Sequence, residues 1–188
     1  GKTQRAYMWA YRSNDLEGAP RIVVFDYQPS RSGEHARNFL QDWRGHLMVD
    51  DYGGYKASFR QGVTELACLA HCRRKFFELH AAGGHPVAHE ALRRISELYA
   101  IEAQAHDGAT STRLALRQQE ALPKLTAWHD WLVAQRLRTA DGTGLARAID
   151  YSLKRWAAIK RYVDNGHLPI DNNPVENAIR PITLGRRN

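Results

Sequence analysis

The chain has 188 residues, is 43% hydrophobic and carries 27 Lys and Arg against 20 Asp and Glu, a net charge of +7. That length allows one good core with room for an inserted subdomain. The basic balance, with a pI near 9.6, favours a polyanionic partner, nucleic acid before acidic membrane. No apolar run approaches the roughly 20 residues that span a bilayer, and no secretion signal is read at the start. Cys68 and Cys72 sit four apart and make no disulfide framework, so a cytoplasmic location is expected. The opening Gly-Lys-Thr and the closing Gly-Arg-Arg-Asn read as cuts from something longer.

Residues 5–12 place Tyr7, Trp9 and Tyr11 at period two, which predicts a strand with its aromatics packed on one side. A turn over 13–20 leads to a second strand, 21–27, too uniformly apolar to have a wet face, and the two form an antiparallel hairpin. Ala36, Phe39, Leu40 and Trp43 then have helical spacing, with Gly45 as the expected stop. Residues 46–50 make a third, buried strand, reached by a right-handed crossover onto a parallel neighbour. Asp50 therefore stands at the carboxyl end of a buried strand, where open α/β sheets hold ligands. A tight turn at 52–55, a fourth strand at 64–69 and a basic helix at 70–82 follow, closed by Gly83-Gly84.

From 86 to 165 the pattern is helical. One helix follows Ala88, Leu92, Ile95, Tyr99 and Glu102; a second follows Leu114, Ala121, Leu125, Trp128 and Leu132, disturbed at Pro123. A third follows Leu145, Ile149, Leu153, Trp156, Ile159 and Val163, ended by Asn165-Gly166. Trp128, Trp131 and Trp156 belong to this region's own core, and Lys154, Arg155, Lys160 and Arg161 to its solvated surface. The domain organisation expected is a sheet-based half over 1–84, a helical insertion over 85–166, and a return over 167–188.

That return holds the stretch Ile170-Asp171-Asn172-Asn173-Pro174-Val175-Glu176. Asn173 reads as an N-cap, Pro174 as the first helical residue and Glu176 as the third. Glu176 then either reaches back to the cap as in a capping box or points at a metal ion, with Asn172 and Asn173 guiding its approach. Asp50 has a similar pair of readings, an acid opening a turn or a metal ligand. Cys68, His71 and Cys72 resemble part of a zinc site, but no fourth ligand is evident. Arg73-Arg74-Lys75 is either the wet face of a helix or a phosphate-binding patch.

A buried-strand Asp, a further strand, a helical insertion and a Glu at a late helix start, in this order, resemble the ribonuclease-H-like fold of transposases whose catalytic acids are Asp, Asp and Glu. Three blocks carry a closer likeness to the transposases of insertion-sequence family 66. They are Leu47-Met48-Val49-Asp50-Asp51-Tyr52-Gly53-Gly54-Tyr55, Cys68-Leu69-Ala70-His71-Cys72-Arg73-Arg74-Lys75-Phe76, and the stretch from Ile170 through Pro181 to Leu184-Gly185-Arg186-Arg187-Asn188. The likeness covers essentially the whole chain. It implies an α/β, ribonuclease-H-like mixed sheet with a large helical insertion, Asp50 as the second acid and Glu176 as the third.

In that family the first Asp lies on a strand just before this chain begins, and Cys72 stands where a small residue is common, which speaks against a required zinc ligand. The resemblance implies two Mg2+ or Mn2+ ions, about 3.5–4 Å apart in such enzymes, held here by Asp50 and Glu176 and completed by the missing acid. It implies double-stranded DNA as substrate and self-association as the working state. Arg73, Arg74, Lys75, Arg180, Arg186 and Arg187 become DNA-backbone contacts, and His71 a neighbour of the scissile phosphate. Without its first strand the sheet must gap, close up or borrow a strand, and the fragment is expected to be inactive. Two other functions compete: a non-catalytic DNA-binding or assembly module, and a carboxylate-pair hydrolase, which the basic charge disfavours.

Overall fold

The computed structural model describes residues 5–14, 20–106 and 108–184. Two compact units emerge, Gly1–Leu66 with Asp171–Asn188, and Ala67–Ile170. The protein is α/β, with two two-stranded sheets among the described residues.

In the first unit, β1 (Tyr7–Arg12) and β2 (Val23–Gln28) form the antiparallel hairpin, with Trp9 opposite Asp26 and Tyr11 opposite Val24. Ser13 ties its connecting end: its N–H donates to the Ile22 carbonyl at 2.9 Å, and its Oγ accepts from the Ile22 N–H at 2.8 Å. The β1 aromatics are packing residues. Trp9 is buried edge-on to His35, Tyr52 and Tyr55, and Tyr11 stacks on Phe39 at 3.8 Å. The second strand departs from expectation. Val23, Val24, Phe25 and Tyr27 are all exposed, because β2 pairs only with β1 among the described residues. Apolar composition alone cannot distinguish a central strand from an uncovered edge.

Helix α1 (Gly33–Leu40) starts on Ser32, whose Oγ accepts from the Glu34 N–H at 3.2 Å. It ends at Leu40, where Gln41 takes a positive φ of 46°, ahead of the expected stop at Gly45. Phe39 and Trp43 consequently stay largely exposed. Strand β3 (His46–Val49) pairs with β4 (Thr64–Ala67), joined at its start by Thr64 N–H donating to Gly45 O at 2.8 Å. The expected crossover does not join β3 to the hairpin's sheet. A 3-10 turn (Gly53–Tyr55) and helix α2 (Lys56–Arg60) connect β3 to β4.

The second unit comprises α3 (Leu69–Gly83), α4 (Pro86–Gln104), α5 (Thr110–Leu116), a π-helical turn (Arg117–Ala121), α6 (Leu122–Leu137), α7 (Gly144–Lys154), α8 (Trp156–Lys160) and a 3-10 turn (Arg161–Asp164). Gly84, at φ 66°, closes α3 with its N–H on the His80 carbonyl at 2.7 Å. Because α3 packs on α4 and α7, it belongs with the helices, in the unit Ala67–Ile170. Leu69 N–H donates to Ile170 O at 3.1 Å, which joins the start of this unit to its end.

The buried stripe of α4 runs through Ala88, Ala91, Ile95, Leu98 and Ile101, rotated from the one through Leu92 and Tyr99. The expected single third helix breaks at Arg155, which is buried rather than solvated. Pro123 is accommodated in the first turn of α6, just after the π turn. In that π turn Arg117, 1% exposed, donates to Glu102 at 2.8 and 2.6 Å and to the carbonyls of Tyr162 and Asn165 at 2.9 and 2.6 Å. A buried guanidinium is tolerated when it is paired and its donors are used in this way. Helix α9 (Asn173–Leu184) returns to the first unit.

Candidate functional site

Helix α9 starts differently from its sequence reading. The Asn172 carbonyl accepts from the Glu176 N–H at 3.1 Å, so Asn172 takes the cap position and Glu176 is the fourth helical residue. The backbone N–H of Asn173 donates to Asp171 Oδ1 at 3.0 Å, and its side-chain amide donates to Oδ2 at 2.7 Å. Buried Asp171 thus does the capping that a capping box would assign to Glu176. The sequence reasoning missed Asp171; an Asp two residues before Asn-Pro was the available clue. Asn173 is spent on Asp171, whereas Asn172 lines the cleft described next.

Asp50 follows β3 and accepts the Tyr52 N–H on Oδ1 at 3.1 Å. Asp51, between them, has a φ of 79°, a left-handed conformation that Asp adopts more readily than most residues. The turn therefore uses one carboxylate oxygen of Asp50. The other makes no hydrogen bond among the described residues. A close backbone approach holds this turn against α1: a Cβ on Gly33 would lie 2.1 Å from the Gly54 carbonyl oxygen. Only glycine fits there.

A cleft of about 240 Å³ in the first unit is lined by both Asp50 and Glu176. Four consecutive residues of β1 line it (Tyr7, Met8, Trp9, Ala10), as do Met48 and Val49 leading to Asp50. Both β1 and β3 therefore contribute to its wall. Val175 and Ile179 of α9 make part of the apolar wall; Arg31, Tyr52 and Tyr55 complete a polar and aromatic one. Burial, then the negative charge of Asp50, pushes the Tyr55 phenol well above its ordinary value, with Arg31 opposing. Tyr55 is therefore a neutral hydrogen-bonding group at physiological pH. Arg31, Tyr52 and Tyr55 were not singled out from sequence as site residues; the tyrosines lie within the Leu47–Tyr55 block, but no motif marks Arg31.

Arg180 is exposed on α9 one turn beyond Glu176. Arg186 and Arg187 lie outside the described residues. His71, Arg73, Arg74 and Lys75 lie on α3, in the other unit; Arg73 sits over Phe77 and Lys75 over Tyr151, while His71 is half-buried. The donors gathered in the cleft are oxygens, two carboxylates and the Asn172 amide, and oxygen donors suit Mg2+ or Mn2+. Among the described residues no group of three or more His, Cys, Asp or Glu could hold a metal ion. The donor chemistry fits a hard cation; the number of acids does not complete a site.

The profile described as "Transposase IS66 family" matches residues 1–188. The chain belongs to this family. It is similar to three uncharacterised proteins of Sinorhizobium fredii (strain NBRC 101917 / NGR234). With y4hP it is 32% identical, over 96% of this chain and 36% of that protein. With y4qI it is 31% identical, over 100% and 37%, and with y4jD 30%, over 100% and 39%. This family member thus spans little more than a third of the length of the curated relatives it matches. No solved structure matches it. Among the described residues, no helix is long and apolar enough to cross a membrane.

Proposed function

We propose that the chain is part of the ribonuclease-H-like catalytic core of a DNA transposase, with Asp50 and Glu176 as two of its three acids. The observation that carries this reading is that these two residues, far apart along the chain, line one cleft with oxygen donors. When bound there, Mg2+ or Mn2+ supplies activation of the nucleophile and stabilisation of the leaving oxygen. Asp50, pinned by its own turn, and Glu176, at the start of the helix that Asp171 caps, are the residues that would hold it. The substrate is double-stranded DNA, cut at the transposon ends and joined to target. Arg73, Arg74, Lys75 and Arg180 supply backbone contacts that position the duplex.

The third acid comes, on this reading, from a strand laid between β1 and β3. A cleft lined by residues of both strands, each paired on one edge only among the described residues, supports that placement, since unpaired edges recruit a neighbour. With two acids alone, the isolated chain binds metal weakly and does not turn over. The test is strand cleavage by the longer protein with Mg2+ or Mn2+. Asp50→Ala and Glu176→Ala should each lower the rate roughly a thousandfold or more, the several kcal/mol that a catalytic ion contributes. Cleavage that persists in both variants would falsify the assignment.

The incomplete acid set favours a second reading, in which this chain on its own is a DNA-binding or assembly module. Steeply salt-dependent DNA binding that survives Glu176→Ala, with no cleavage by the longer protein, is its signature.

A further inference from the structure

We infer that Arg31 is the phosphate-binding cation of the Asp50–Glu176 cleft, holding the scissile phosphate by a bidentate contact; this rests on the reading above. Arg31 lies between β2 and α1 and, among the described residues, is the one basic residue lining a cleft that also holds two carboxylates. A guanidinium so placed ordinarily swings onto an acid. Here it makes no hydrogen bond or ion pair among the described residues. Instead it lies over the Tyr52 ring, 4.5 Å from the centroid.

The ring is itself immobilised. The Tyr52 hydroxyl donates back to the Arg31 carbonyl, and its ring stands edge-on to Trp9 and Tyr55 at 6.0 and 5.9 Å. A cation held over a ring spends none of its N–H donors on an acid, and that fork is the geometry that matches two phosphate oxygens. The charge balance points the same way. Two carboxylates repel an entering phosphodiester, and a cation beside them that is not paired with either offsets that repulsion where the chemistry needs it. An Arg already consumed by Asp50 or Glu176 could not do so.

The experiment uses the longer protein that contains this chain, with duplex DNA carrying a transposon end. Arg31→Ala should lower kcat about a hundredfold, the usual effect of removing one preorganised donor. It should also reduce the slope of log K against log salt by about one. Arg31→Lys should restore the slope but not kcat, because a point charge lacks the fork. A single neutral methylphosphonate at the scissile linkage should weaken binding by the parent protein and leave Arg31→Ala unaffected. Unchanged cleavage and salt slope in Arg31→Ala, or a fall in cleavage with no change in slope, overturns the inference. If Asp50→Ala abolishes cleavage while Arg31→Ala is silent, only this inference fails. If Asp50→Ala still cuts, the transposase-core reading fails and takes this one with it.

Discussion

The helical unit and the sheet unit treat their polar groups and their edges in opposite ways. In the helical unit, Arg117 is buried with Glu102 and two carbonyls as partners. Several surface cations there are paired with acids, Arg93 with Glu90 and Glu97, Lys124 with Glu97, Arg136 with Asp141 and Asp150, while Arg73 and Lys75 lie over rings. The sheet unit buries Trp9 but exposes Val23, Val24, Phe25 and Tyr27, and its Arg31 is held by a ring rather than an acid. A helix satisfies its own backbone, whereas a strand needs a neighbour on each edge. A two-stranded sheet is therefore unfinished by construction, and the unfinished unit is the one that holds the candidate site.

The largest effect that would sharpen this contrast is in the helical unit. Arg117→Ala strands Glu102 without its guanidinium and should cost about 3–5 kcal/mol in urea denaturation, as expected when one partner of a buried pair is removed. A loss under 1 kcal/mol would show that the π turn is not the pin described. A middle-sized effect should appear at alkaline pH in both units. Burial pushes the Cys72 thiol up to about 12 from its ordinary value of 9.0. Burial, then Asp26, pushes the Tyr11 phenol to about 12 from 10.0. Both shifts are upward, so the folded state prefers the protonated forms. Their contribution is complete below the ordinary values and is lost as pH climbs toward 12. Denaturation midpoints should fall between pH 9 and 12, less so in Tyr11→Phe; a flat profile over that window contradicts the burial described.

The smallest effect should come from β2. Phe25→Thr, at an exposed strand position, is expected to change stability by no more than about 0.5 kcal/mol. A cost above 2 kcal/mol would mean that this face is covered in solution, and the comparison between the units would have to be redrawn.

Much of the local structure was legible. Period-two aromatics marked β1, Gly84 punctuated α3, and the two acids that line the cleft were both singled out from their positions, one after a strand and one at a helix start. What misled was partner choice. Asn-Pro suggested Asn173 as cap, but Asp171 captured its N–H and moved the helix start by one residue. The uniform apolarity of β2 suggested burial, and α4's periodicity allowed two stripes one residue apart. Arg31 carried no local signal, since its role depends on Tyr52, twenty-one positions away.

The amino-acid order by itself determined which segments become strands or helices, the basic balance, and the family, because propensity, periodicity and motif identity are local properties of the chain. Only the tertiary structure decided that β3 pairs with β4 rather than with the hairpin, that α3 joins the helical unit, and that Arg31 shares a cleft with Asp50 and Glu176. Those outcomes rest on which surfaces meet, and contacts between distant residues follow from the packing of whole elements rather than from any short stretch of sequence.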